Sequence, residues 1–302
     1  MAGVGMMKKN NNLYKLKNEY MGRAFSTICG YFIVILTLAI IGFIASKGLT
    51  IFIQDGYPIG DFLFSKQWRP DADIPKFGAL IFILGSTFVA VGAVIISAPI
   101  SVAIAIFMNL ISPKLGNRIL QPAMELFVGI PSVVYGWIGI TVLIPALKEV
   151  FGGVGFSLVA GILVLAIMIL PTITSIASDA IRTIPRQYIE ASYGLGATRW
   201  QTIINVVIPA TKNGILTGVV LGIARAFGEA LAVQMVIGNS VKIAKGLFDT
   251  TSTLTSAITM DMANTMSGTP WNNALWSLSL LLLIISFTFI LIIRVIGRRG
   301  DL

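Results

Sequence analysis

Long apolar runs alternate with short polar segments along nearly the whole chain. Six runs, at about 24–46, 79–108, 119–145, 156–178, 214–237 and 272–293, are long enough to cross a bilayer as a helix, which takes roughly 20 apolar residues. The second run exceeds that need and is expected to tilt or to extend beyond the lipid. The pattern predicts an all-α membrane protein with about six transmembrane helices and both termini on the same side. Residues 1–23 read as a terminal segment ahead of one transmembrane domain, 24–302. The polar stretches 47–78 and 239–271 read as loops on one side, and 181–212 as a loop on the other. The loop 239–271 is longer than a simple turn, so a short re-entrant or surface helix is expected within it.

Composition supports this reading. Apolar residues make up 56% of the chain, charged residues 12%, and the mean hydropathy is +0.87. Soluble domains carry about a quarter charged residues. The first run follows a basic leader but is longer than the ~7–15 residues of a signal-peptide core, so it is expected to be retained as a helix.

The net charge of +9 invites a nucleic-acid reading, and its distribution argues against one. With the N-terminus inside, 14 of the 22 basic residues fall on cytoplasmic segments, 7 on external ones, and Arg225 lies within a span. That bias follows the positive-inside rule and sets both termini in the cytoplasm. A nucleic-acid surface needs its basic residues on one exposed face; here they are split among short loops. The single cysteine, Cys29, excludes an intrachain disulfide or thiolate cluster, and the absence of histidine excludes histidine metal sites and proton relays. No metal-binding set is expected. No Gly-x-x-x-x-Gly-Lys-Ser/Thr run and no Gly-x-Ser-x-Gly elbow occur, so no catalytic residues are assigned.

The polar segment EASYGLGATRWQTIINVVIP, residues 190–209, carries a spaced motif. Glu190, Ala191 and Ser192 are followed after three residues by Gly196, and after nine more by Val206, Ile208 and Pro209. This spacing resembles the Glu-Ala-Ala loop of ABC-type importer permeases, with Ser192, Val206 and Ile208 as mild departures. The resemblance implies a cytoplasmic element that docks on a separate ATP-hydrolysing subunit. The residues fit such a role. Tyr188, Ala191, Leu195 and Trp200 can form an apolar face for a groove in a partner. Gly194 and Gly196 permit a bend, and Glu190 and Arg199 offer polar contacts at the rim. An ordinary amphipathic loop lying on lipid is the plainer alternative.

Ionisable residues inside the spans cost roughly 2.5–3.5 kcal/mol or more each, so Glu125, Arg225 and Glu229 stand out. Arg225 and Glu229 are four apart, which on a helix brings them within reach of each other. They read either as a self-neutralising pair or as an anion path. In the path reading Arg225 offers its donor fork to an oxyanion. Glu229 then steadies Arg225 or accepts a hydrogen bond from a protonated oxyanion. In the third span Ser132 and Tyr135 are polar, and Pro131 breaks the hydrogen-bond ladder. Such a kink lines a path or merely bends a helix. Gly214, Gly218 and Gly222 recur every fourth residue, a stripe for close helix packing within the chain or against a second subunit.

ELFVGIPSVVYGWIGI and GIARAFGEALAVQMVIGNS look like signatures of the PstC-type permeases of bacterial phosphate importers. This resemblance covers about residues 80–293. It implies the type I ABC importer permease fold in the bacterial cytoplasmic membrane, with no cofactor bound by the chain and ATP used by a partner. The implied partners are a PstA-type permease, a cytoplasmic ATPase dimer, an extracytoplasmic phosphate-binding protein, phosphate and membrane lipid. A permease for molybdate, sulfate or a peptide, and a secondary carrier or channel, are the other readings.

Overall fold

A computed structural model describes residues 21–298. The terminal segment expected over 1–23 lies outside the described residues up to position 20. In chain order the main helices are α1 (Met21–Gly48), α2 (Leu80–Ile106), α3 (Gln121–Gly129), α4 (Ser132–Ile138), α5 (Ile144–Phe151) and α6 (Leu158–Arg182). They continue as α7 (Arg186–Gly194), α8 (Ile208–Gly228), α9 (Leu231–Ile237), α10 (Leu254–Asp261) and α11 (Pro270–Arg298). Among the described residues the strands are confined to one hairpin, β1 (Trp68–Arg69) paired antiparallel with β2 (Lys76–Phe77).

Six helical stretches are long and apolar enough to cross a membrane: Gly22–Ile53, Leu80–Ile111, Ser132–Phe151, Leu158–Arg182, Arg199–Gly228 and Pro270–Ile292. The centre is made by α2, α6 and α8, whose Val89, Ala93, Leu165, Ile169, Ile173 and Phe227 share one buried cluster. In lipid no hydrophobic force draws helices together, so close packing must do it. The glycine stripe of α8 supplies that packing. A methyl on Gly218 would lie 3.2 Å from Ile176, one on Gly222 would lie 2.8 Å from Ile173, and one on Gly214 would overlap Ala180. All three neighbours belong to α6, so the stripe packs within the chain. By contrast α1 stands at the edge, with Phe25, Ile33 and Leu38 exposed. It is held chiefly by α11, where Ser277 Oγ donates to Gly48 O at 2.6 Å and Phe43 meets Trp276 edge-on at 5.4 Å.

Prolines shape the remaining helices. Wide turns with hydrogen bonds reaching back five residues occur at Phe107–Ile111, Gly116–Leu120, Gly139–Leu143 and Ile203–Val207. Each is followed two residues later by a proline: Pro113, Pro122, Pro145 and Pro209. A proline cannot donate to the carbonyl four residues back, and its ring crowds that carbonyl. Widening the preceding turn relieves both problems. Pro209 of the spaced motif therefore sets the shape of the helix that leads from the loop into the membrane.

Two expected spans are not continuous. The third divides at Ile130, whose ψ of 126° is extended, between α3 and α4. The hydropathy pattern predicts the fifth as one helix over 214–237. It begins instead at Arg199, stops at Gly228, and resumes as α9 after an extended Glu229. Apolar composition continues across both breaks, so hydropathy does not register them.

The segment after α9 folds back into the bundle. Every residue from 251 to 257 is buried. Leu254 N donates to Ser86 Oγ at 2.9 Å, and Gly85 leaves room for Ser252 O that any larger residue would take. Its hydroxyls are engaged with one another and with nearby carbonyls: Thr253 Oγ1 lies 2.7 Å from Ser256 Oγ and accepts from Ser256 N, capping α10, and Thr251 Oγ1 donates to Lys242 O at 2.8 Å. The expected helix in the 239–271 loop is thus α10, entering the protein by its N-terminal end.

Candidate substrate path and coupling loop

The tight α6–α8 contact fixes Arg225, which lies three residues beyond Gly222 on α8. Its guanidinium donates to Thr172 Oγ1 on α6, directly after Pro171. One bond uses one of five N–H donors. Glu229 does not complete the pair expected from the four-residue spacing. The helix ends at Gly228, and Glu229 has an extended backbone with φ −73° and ψ 123°. Its side chain turns forward, and Oε1 accepts from Ala232 N at 3.2 Å at the start of α9. Its carbonyl accepts from Thr255 Oγ1 of the folded-back segment at 2.8 Å. Among the described residues no ion pair joins Arg225 to a carboxylate.

Tyr135 repairs the break in the third span. Pro131 has no N–H for Phe127 O, and the Tyr135 hydroxyl donates to that carbonyl at 2.8 Å. Tyr135 is buried, and Arg225 is close enough to act on it electrostatically. The break in the fifth span begins three residues beyond Arg225, and the tyrosine that braces the break in the third lies within its electrostatic reach. Ser132 opens α4 and is half-buried. Glu125 sits elsewhere. It is exposed on α3, accepts from Gln121 Nε2 at 3.2 Å, and lines a cavity of about 220 Å³ with Thr174, Asp179 and Arg182 rather than with Arg225.

The polar loop leaves α6 at Thr183, and Pro185 starts α7. No residue of α7 is buried, so Glu190 and Ala191 face outward. Tyr188, Leu195 and Trp200 are 58%, 90% and 64% exposed, a large apolar surface for one polar loop. Gly196 takes a left-handed φ of +83° that turns the chain after α7. Thr198 then caps the next helical turn through a reciprocal bond pair with Gln201. Ser192, the departure from alanine in the motif, has a use: its Oγ lies 2.9 Å from Thr202 Oγ1 and closes the loop on itself. Arg199 differs from its expected place at a partner's rim. It donates within the chain, to Leu110 O and, at 3.0 Å, to Ile111 O.

Sequence reasoning missed Thr172, Thr255, and the bonds of Arg182 to Asn109, Asn117 and Gln121. A hydroxyl next to Pro171 was a faint signal for Thr172; the rest join positions far apart in the chain.

Known proteins resemble the chain along most of its length. The family described as binding-protein-dependent transport system inner membrane component matches residues 101–300. A probable ABC transporter permease protein of Bacillus subtilis, YqgH, is 50% identical over 283 residues, covering 93% of this chain and 92% of that one. The phosphate transport system permease protein PstC of Mesorhizobium japonicum is 37% identical over 260 residues, covering 80% and 79%. A solved bacterial alginate ABC transporter, in complex with an alginate-bound periplasmic protein, matches in fold with a TM-score of 0.58 at 15% identity, over 95% of this chain and 97% of that one.

Proposed function

The chain belongs to the binding-protein-dependent transport system inner membrane components, and on that footing we propose that it is the phosphate-conducting permease subunit of an ATP-driven importer. It spans the membrane several times and has the all-α fold of ABC importer permeases. The substrate assignment draws on the PstC relatives. The observation that carries it is Arg225, an arginine within a span, three residues before that span breaks, with a hydroxyl and, among the described residues, no carboxylate for a partner.

A bare phosphate would cost tens of kcal/mol to strip of water in hydrocarbon. The Arg225 fork, together with water, offsets part of that cost through charge-assisted hydrogen bonds. Thr172 holds the fork in place and leaves most of its donors available. Glu229, tied to the start of α9, stands past Arg225 as an acceptor for a protonated phosphate oxygen. Transient contact suits conduction, because the ion must also leave.

In this reading both termini are cytoplasmic, as the basic residues favour. The 181–212 loop meets a separate ATPase dimer that binds and hydrolyses ATP, and this chain binds no cofactor of its own. A PstA-type permease supplies the other half of the path, and a phosphate-binding protein delivers the ion from outside. The exposed apolar face of Tyr188, Leu195 and Trp200 supports a protein partner there.

The test is uptake of labelled phosphate by the assembled importer in proteoliposomes. Arg225→Ala is expected to abolish uptake with subunit recovery unchanged; uptake at the wild-type rate rejects the role. Sulfate or molybdate that competes equally with phosphate rejects the substrate.

A further inference from the structure

Two arginines bracket the loop assigned to the ATPase. Arg182 is the last residue of α6, just before the loop, and Arg199 is the first residue of the helical turn that ends it. Both reach the same target, the turn between the second and third spans. Arg182 Nε donates to Asn109 Oδ1 at 3.0 Å, and its Nη2 to Gln121 Oε1 at 3.0 Å and Asn117 Oδ1 at 3.3 Å. Arg199 donates to the carbonyls of Leu110 and Ile111. These carbonyls end the second span and have no helical partner beyond it, so a cation there also meets the negative end of the helix dipole.

The gripped turn is a solid piece. Gly116 packs so closely on it that a methyl would lie 2.5 Å from Met108 O. Asn109 Nδ2 also donates to Ser178 Oγ of α6 at 2.7 Å. The far side of the turn runs into α3, whose Phe127 carbonyl is held by Tyr135 at the break in the third span. The loop also packs apolar side chains on this end of the second span: Ile203 and Val207 are buried with Ala105 and Ile106, and Ile184, Ile189 and Ile208 pack against them. A push on α7 therefore reaches the end of the second span through this packing and through Arg199, and the turn beyond it through the bonds of Arg182 to Asn117 and Gln121.

We propose that Arg182 and Arg199 are positioning residues that transmit movement of the coupling loop to the turn joining spans two and three, and through it to the helix break that Tyr135 braces. This rests on the reading of the loop as the ATPase contact. Neither arginine touches phosphate, so changing them should leave both the ion's contacts and ATPase docking in place while weakening the link between hydrolysis and transport.

The complete importer, reconstituted with R182Q and R199Q together, tests this. ATPase recovery on purification is expected to match wild type, hydrolysis to continue, and phosphate moved per ATP to fall about tenfold, within the range such networks carry. R199K is expected to stay near wild type, because one ammonium still serves a helix end. R182K is not, because a point charge cannot span three separate acceptors. An unchanged phosphate-to-ATP ratio in the double variant overturns the proposal. Should the double variant fail to assemble, nitroxide labels at the exposed Leu115 and Gln187, in a Cys29→Ser chain with both arginines intact, decide the matter. Their separation is expected to stay fixed between the ATP-free and ATP-trapped importer, and a separation that changes overturns the clamp. Glu190→Ala, expected to lose the ATPase on purification, tests the underlying reading by itself. Full ATPase recovery there strikes the docking assignment, while a preserved phosphate-to-ATP ratio in the arginine variants strikes only the clamp.

Discussion

Tyr135 shows how one side chain can stand in for a missing backbone donor. Its hydroxyl takes the place of the N–H that Pro131 lacks, at the carbonyl of Phe127. Tyr135→Phe keeps the ring and removes the donor, leaving a carbonyl without a partner inside the protein. That should cost about 1–3 kcal/mol, read as a lower midpoint of unfolding in mixed micelles, with reduced uptake because the break in the third span loses its brace. An unchanged midpoint would mean that water already serves Phe127 O. Residue identity was legible here: Pro131, Tyr135 and Arg225 all stood out as polar or helix-breaking positions in apolar surroundings. Their relation was not. The i, i+4 rule that joined Arg225 to Glu229 assumes an unbroken helix, and Gly228 ends it.

Among the elements, α6 and α8 depend on glycine. Gly222 faces Ile173 at a distance that leaves no space for a side chain. Gly222→Leu should force the helices apart and destabilise the protein by about 1–3 kcal/mol, while Gly30→Ala on the exposed α1, where nothing lies within 4 Å, should change the unfolding midpoint little. Equal effects at the two positions would count against the packing described for the stripe. The stripe was evident in the sequence, but its partner helix was not, because small residues permit contact without naming what makes it. The spans themselves were legible from apolar length alone. Their interruptions at Ile130 and Glu229 were not, since a hydropathy pattern follows side chains and these breaks lie in the backbone. The hydroxyl-rich stretch 251–257 reads as a water-exposed loop on polarity. It lies buried because capping and the Ser86 contact satisfy its polar groups.

At the scale of the whole molecule, the chain has two sides with different tasks. One carries a loop whose apolar residues face outward, and the other carries the hairpin and the folded-back α10. In the proposed function such a molecule depends on work done by a separate ATPase. Vesicles containing every importer subunit except the ATPase should accumulate no phosphate, measured against the complete set with ATP inside. Accumulation without the ATPase would favour a gradient-driven carrier. The sequence pointed to this dependence through the spacing from Glu190 to Pro209, because a docking motif is local and survives in one dimension. The grip of Arg182 and Arg199 on the turn near Asn109 was invisible for the opposite reason: it joins positions 61 to 89 residues apart.

The buried stretch 251–257 has a consequence for leakage. A membrane protein that moves a scarce nutrient must not let the same ion drift back out between strokes. Here Thr253 and Ser256 bond each other, Thr255 donates to Glu229 O and Thr251 to Lys242 O, so an ion arriving at this stretch finds those hydroxyls already taken.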